Sequence, residues 1–364
     1  MTTRITTPPT GGRPGPGDGA PFLRVGVDIG GSKIAVLVVD TADRVLARRH
    51  VPAASAEPNE AIAQIATVIR DAVGEAGATM ADVAAVGLGV PGRVDSASGD
   101  VTFAVNLGWQ HLPLGRRLSA ALGVPCVVEN DVRAAAVGLH REAPFGSTDD
   151  LVYLGIGTGI SAGVVLDGRL HRGVRGLAGE IGHVVLDPDG APCACGLRGC
   201  FETIAAGAGI ARAAREAVAA SRSGASVPEA DATAARTGEP TTLSTLAEPT
   251  AADVFAAAVA GDLVAGRIVD RAAAAIARMV HELVLAYDVE LVVIGGGISR
   301  AGEPFLERVK AGLDRIGAPS PFAAELLAET EVRLVGSDHD VGTRGAIALL
   351  GPDTKGVVAR EAVG

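Results

Sequence analysis

FLRVGVDIGGSKIAVLVVD (residues 22–40) reads as an apolar strand, a glycine turn and a second apolar strand. That pattern predicts a β-hairpin. LVYLGIGTGISAGVVLDG (151–168) repeats the design: apolar strand, Gly/Thr turn, apolar strand. The two stretches share little identity but the same architecture. Two halves, each opening on a hairpin whose turn can approach phosphate, predict a two-lobed protein with a cleft between the lobes.

The segments around the hairpins alternate between strand and helix signals. Ile62, Ile65, Ile69 and Val73 fall at helical spacing and predict an amphipathic helix over 60–73. VAAVGLGVPG (83–92) reads as a short buried strand ending in a Gly/Pro loop, and 118–140 as helix, strand and a helix opening near Asn130–Asp131. A long helix is expected at about 262–287, with Leu263, Val269, Ile276, Val280, Leu283 and Val284 on its apolar stripe. VELVVIGGGISR (289–300) follows as strand, triple glycine and helix start, and GTRGAIALLG (342–351) as the final helix. This alternation argues for the α/β class.

The expected boundaries follow from composition. Residues 1–21, rich in Pro, Gly and Thr, read as a disordered tail without an apolar leader. Residues 22–130 form a small N-terminal lobe, completed by a C-terminal helix within about 342–364. Residues 131–341 form a larger lobe that carries a metal loop at 183–200 and a flexible insertion at about 220–250.

Bulk properties narrow the function. A formal net charge of −10 argues against a nucleic-acid partner, which draws on clustered Lys and Arg. No run of 18 or more apolar residues predicts a membrane span. Aromatic residues are only 3%, so the core must rest on Ala, Val, Leu and Ile. Clustered cysteines without a secretion signal point to metal in a reducing cytoplasm, not to disulfides.

Four sets of residues carry chemistry. In Asp28-Ile-Gly-Gly-Ser-Lys33, Gly30 and Gly31 let backbone N–H groups approach an anion, Ser32 and Lys33 add a hydroxyl and a charge, and Asp28 can hold hydrated Mg²⁺. The spacing is not that of a P-loop, and a plain hairpin with a solvated lysine is the alternative. Gly157-Thr158-Gly159 offers a second set of donors, and two such turns facing each other would clamp a triphosphate. Gly295-Gly296-Gly297 can admit a flat base against bare backbone, or serve only as a tight strand–helix turn. Glu129-Asn130-Asp131 opens a helix, where Asp131 is either a cap or a general base accepting a proton from an attacking hydroxyl. In Asn106-Leu107-Gly108-Trp109 the amide is the better ligand candidate, since a lone Trp more often packs in a core.

GEIGHVVLDPDGAPCACGLRGCFE (179–202) holds three of the chain's four cysteines, Cys193, Cys195 and Cys200, with His183 ten residues before the first. Three thiolates and an imidazole are a tetrahedral zinc set, and four protein ligands leave no position for an activated water. The zinc is therefore expected to be structural. Glu180 and Glu202 bracket the ligands, which suggests that the metal shapes a site for other chemistry. Cys126 stands apart on an apolar strand and reads as a core residue.

Taken in order, DIGGSK, GVPGRVD, NLGW, ENDVRAAA, GIGTGIS, GEIGH…CACGLRGCFE and IGGGIS resemble the ROK family of bacterial sugar kinases and related repressors, over about residues 24–350. The resemblance implies the actin-like, two-lobed sugar-kinase fold, with ATP and sugar in the interlobe cleft. It implies Asp131 as catalytic base, and Asn106, Asn130, Glu180, His183 and Glu202 on sugar hydroxyls, with the Gly92 loop closing over the sugar. It implies His183, Cys193, Cys195 and Cys200 as zinc ligands. Asp28, Gly31, Lys33, Thr158 and Gly159 match the phosphate and Mg²⁺ region, and Gly295–Gly297 the adenosine side. Ser32 stands where Thr is usual, and Val105 where Pro often precedes the Asn.

The expected activity is phosphorylation of a hexose by ATP, glucose first. Fructose, mannose, N-acetylmannosamine and N-acetylglucosamine are alternatives, and polyphosphate is an alternative donor. A sugar-responsive repressor is the other class in the family. The 21 residues before the first strand, with Arg4 and Arg13 as their basic side chains, are too short and Pro/Gly-rich for a DNA-reading domain. The resemblance further implies a homo-oligomer, dimer or tetramer.

Overall fold

The computed structural model describes residues 22–53, 56–223, 240–336 and 339–351. The expected tail, the middle of the expected insertion (224–239) and residues 352–364 lie outside them. The first half runs β1 (Leu23–Ile29), β2 (Lys33–Val39), β3 (Val45–Pro52), α1 (Pro58–Glu75) and β4 (Val83–Val90). It continues through the short strands β5 (Arg93–Asp95), β6 (Asp100–Ala104) and β7 (Trp109–Leu112), then α2 (Leu114–Leu122), β8 (Cys126–Asn130) and α3 (Asp131–His140). The second half runs β9 (Leu151–Ile156), β10 (Ile160–Leu166), β11 (Arg169–Leu170), α4 (Phe201–Ala205), α5 (Gly207–Ser223), α6 (Ala251–Val259) and α7 (Leu263–Tyr287). It ends with β12 (Leu291–Gly295), α8 (Glu303–Gly317), α9 (Pro321–Ala328), β13 (Glu331–Leu334) and α10 (Val341–Ala348).

The duplication suspected from the two hairpins is present in the sheets. One sheet has the order β3-β2-β1-β4-β8 and the other β11-β10-β9-β12-β13. In each, the central hairpin is antiparallel and the next two strands join in parallel. A third, antiparallel sheet of β5, β6 and β7 hangs from the first half.

Two large apolar cores result. In the first, Val25, Val27, Ile65, Ile69, Leu88, Trp109 and Leu118 are buried together; Trp109 is fully enclosed, so it packs and does not reach a ligand. In the second, Leu154, Phe201, Ile276, Val280 and Ile294 are buried around α7. Cys126 packs beside the first core, where burial pushes its thiol up to about 11, as suits an inert residue.

The last described helix returns to the first sheet. α10 lies directly on β1 and β4 and crosses α3. Gly26 and Gly87 permit this approach: a Cβ on either would lie 2.1 Å from the Thr343 carbonyl oxygen or 1.8 Å from that of Ala346.

The expected flexible stretch 220–250 is corrected at both ends. α5 continues to Ser223, and Thr242–Thr245 form a 3₁₀ turn. Asp262 caps α7 and also accepts hydrogen bonds from Thr241 and Thr242, so one carboxylate orders this connection. The helix expected after the triple glycine is also delayed: Gly297–Ala301 is a 3₁₀ turn, and α8 begins at Glu303. Among the described residues, no helix is long and apolar enough to cross a membrane.

Candidate active site

Each half brings a closed glycine turn to one cleft of about 780 Å³. In the first, the Gly30 N–H donates to the Lys33 carbonyl at 2.9 Å; in the second, the Gly157 N–H donates to that of Gly159 at 3.0 Å. Asp28, Gly30, Gly31 and Lys33 line the cleft from one side, and Thr158, Gly159, Gly296 and Gly297 from the other. Gly92, Asn106, Asn130, Asp131, Glu180, His183 and Glu202 line it as well. Residues from seven separate stretches of chain therefore meet at one place.

Two expected contributors, Ser32 and Gly295, are not among the residues that line the cleft. Ser32 is exposed on the hairpin, and its carbonyl accepts from the Ala53 N–H at 3.1 Å. Gly295 is the last residue of β12, and a Cβ there would lie 2.6 Å from the Tyr153 hydroxyl and from Val335. Its bare Cα makes room for a tyrosine, not for a base. Gly296, with φ +82° beside the Ile156 carbonyl, makes the turn itself.

The two readings of the Asn130–Asp131 junction separate in the structure. Asn130 is the N-cap of α3, its side-chain oxygen accepting from the Arg133 N–H at 3.1 Å, while its amide donates to the Gly92 carbonyl at 3.2 Å. The cap is thus Asn130, which also holds the Gly92 loop. Asp131 is the first helical residue, one carboxylate oxygen accepting from the Val132 N–H at 2.9 Å. A carboxylate at a helix N-terminus is stabilised by the unpaired N–H groups there. Even so, burial holds Asp131 above the ordinary carboxylate range, opposed by the Val132 bond and reinforced by Glu180.

Asp28 faces the same floor, packed against Gly342 at the start of α10. Burial pushes its carboxyl up to about 7; Asp131 adds to the rise and Lys33 opposes it. Two acids crowded together, where burial outweighs the nearby Lys33 and Arg133, mark a place that receives positive charge or gives up a proton.

His183, Cys193, Cys195 and Cys200 converge beside the cleft, their four donor atoms within 4.8 Å of one another. Around zinc, with Zn–S bonds near 2.3 Å, tetrahedral sulfurs stand about 3.8 Å apart. Here Cys195 Sγ and Cys200 Sγ are 3.6 Å apart, and Cys193 Sγ is 3.6 Å from His183 Nδ1. The donor set is compatible with zinc. Glu202 bridges metal loop and cleft: Oε1 is 3.0 Å from Cys193 Sγ, and Oε2 packs against Gly159. Arg271 on α7 holds the loop through Asp187 at 3.0 Å.

Several lining residues escaped the sequence reading: His50, Tyr153, Ser299, Arg300, His339, Asp340 and Thr343. Only Tyr153 had a usable local signal, as one of two tyrosines in an aromatic-poor chain, four residues before a glycine turn. It is 4% exposed, and burial with Asp131 and Asp28 nearby pushes its phenol up. The others reach the cleft through tertiary packing.

A duplicated sheet, a glycine turn at the head of each copy and half-buried carboxylates between them define the actin-like α/β class of two-lobed enzymes. Within that class the chain belongs to the ROK family, which it matches over residues 24–352. It is 33% identical over 322 residues to a glucokinase of Halalkalibacterium halodurans, covering 87% of this chain and 92% of that protein. It is 32% identical over 329 residues to an N-acetylmannosamine kinase of Salmonella typhimurium, covering 90% and 98%. The crystal structure of a ROK hexokinase from Thermus thermophilus superposes with a TM-score of 0.69 at 32% identity, over 90% of this chain and 97% of that one.

Proposed function

We propose that this protein transfers the γ-phosphoryl group of ATP to the primary hydroxyl of a hexose, glucose in the first place. That it is a sugar kinase accords with relatives of both kinds spanning nearly their full lengths. One observation carries the chemical reading: Asp131 lies on the cleft floor between two glycine turns, relieved of capping by Asn130.

Asp131 accepts the proton of the sugar hydroxyl as that oxygen attacks the γ-phosphorus. Asn106, Asn130, Glu180, His183 and Glu202 orient the sugar, with the Gly92 loop over it. Asn130 spends its oxygen on the cap and one N–H on Gly92, which leaves one N–H for a hydroxyl. Backbone N–H groups of Gly30, Gly31 and Gly159, with Lys33 and Thr158, hold the phosphates, and Gly296–Gly297 the nucleoside end. Magnesium near Asp28 would neutralise phosphate charge. Zinc on His183, Cys193, Cys195 and Cys200 would fix the orientation of His183 and Glu202. Catalysis is then positioning and electrostatics. In this reading the lobes divide at about residue 130, with α10 returning to the first.

A coupled ADP-release assay tests the proposal with ATP or polyphosphate as donor. Its acceptors are glucose, mannose, fructose, N-acetylglucosamine and N-acetylmannosamine. The expected result is the highest kcat/KM with glucose and ATP; no phosphorylation of any hexose sinks it. The Salmonella relative supports N-acetylmannosamine as the second reading, and the same panel decides between them.

A further inference from the structure

Residues 171–180 form a loop of the second half that ends on Glu180. Its base is closed by its own half: the His171 N–H donates to the Val164 carbonyl and the Ala162 N–H to that of Gly179, both at 2.8 Å. The Ala178 N–H closes the neck on the Arg172 carbonyl at 3.1 Å. The rest of the loop is held from outside. Arg133 of α3 donates from Nη1 to the Gly176 carbonyl at 3.0 Å, and Arg172 donates from Nε to Glu129 Oε2 at 2.7 Å.

Glu129 collects a full set of partners. Its Oε2 also accepts from Ser96 Oγ at 2.8 Å, its Oε1 accepts from the Asn130 N–H at 2.8 Å, and Arg133 Nε stands 3.3 Å away. Glu129 and Arg133 are 1% and 2% exposed. They flank Asp131 two residues before and two after, so one buried pair connects the catalytic junction to the loop that delivers Glu180.

A buried ion pair is a poor source of stability, because desolvation offsets most of the attraction and apolar residues of similar size serve as well. Its surplus value lies in fixing geometry. We propose that Glu129, Arg133 and Arg172 are positioning residues that clamp loop 171–180 and so fix where Glu180 stands at the cleft. The clamp thereby governs affinity for the sugar and not for the phosphoryl donor. This inference rests on the kinase reading above.

Arg172 gives the cleanest test, since its side chain is 44% exposed and its loss leaves both cores intact. Arg172→Met should raise the sugar KM roughly tenfold, the scale of one lost hydrogen bond to a charged group. The ATP KM and the kcat at saturating sugar should stay within about twofold of wild type. Arg172→Lys, which keeps the charge, should recover part of the loss. Glu129→Gln should act in the same direction, and the double variant should fall short of the summed effects. A wild-type sugar KM in Arg172→Met overturns the clamp and leaves the kinase reading standing. A rise of both KM values together also overturns it, because a merely structural role acts without regard to substrate. A wild-type protein that phosphorylates no hexose instead sinks the kinase reading, and calorimetric titration of sugar into Arg172→Met reads the clamp without turnover.

Discussion

At the scale of single residues, Asn130 and Asp131 divide their duties at the start of α3. Asn130 takes the helix cap, so substituting Asp131 does not cost α3 its start. Asp131→Asn should therefore keep calorimetric sugar affinity and lose kcat by about 10²–10⁴-fold, the range for a general base; near-normal turnover would remove Asp131 from that role. Asp28 makes a prediction about pH. Its pKa is about 7 in the folded protein against 3.8 ordinarily. The folded state thus keeps a proton that the unfolded chain has lost. The associated stability is fully present below 3.8 and is lost as pH rises through 7. Without magnesium or nucleotide, the thermal midpoint should fall between about pH 4 and pH 7 more steeply in wild type than in Asp28→Asn. Equal slopes would mean that Asp28 titrates normally.

At the scale of elements, the metal loop and α10 carry separate duties. The loop 183–200 holds Glu202 and His183 at the cleft wall. Cys195, exposed and outside both cores, is the member of the Cys/His cluster to remove. Cys195→Ser should lose its zinc by elemental analysis, weaken sugar binding and lower the thermal midpoint together. Active wild-type protein free of zinc would refute that account. α10 offers a packing test. Gly87→Ala puts a Cβ 1.8 Å from the Ala346 carbonyl oxygen and should cost about 1–3 kcal/mol in urea unfolding, the usual price of overpacking. Both hairpins, the long helix α7 and the convergence of His183 with the three cysteines were legible in the sequence, because periodicity, turn residues and Cys/His spacing are local. The order around Thr241–Thr242 was not, since it comes from Asp262, some twenty residues further on.

At the scale of the whole molecule, two copies of one sheet order enclose the cleft, and Glu129 and Arg133 of the first half reach loop 171–180 of the second through Arg172 and the Gly176 carbonyl. Sugar binding should draw the halves together, lowering the radius of gyration in small-angle scattering. ATP alone should be hydrolysed slowly, because an open cleft does not hold water in line as a sugar hydroxyl is held. An unchanged radius with saturating sugar would oppose closure.

The sequence by itself determined the α/β class, the duplication, the zinc-type donor set and a good part of the cleft lining. Each of these rests on short-range chemistry: alternating apolar residues, glycines in turns, and thiols two to five positions apart. Tertiary structure alone decided that Gly295 yields its space to Tyr153, that Ser32 is left out of the cleft lining, and that His339, Asp340 and Thr343 reach the cleft with α10. It also decided that Glu129 and Arg133 pair out of water beside Asp131. Those outcomes depend on which backbones approach each other across the fold, and no local pattern of residues encodes that distance.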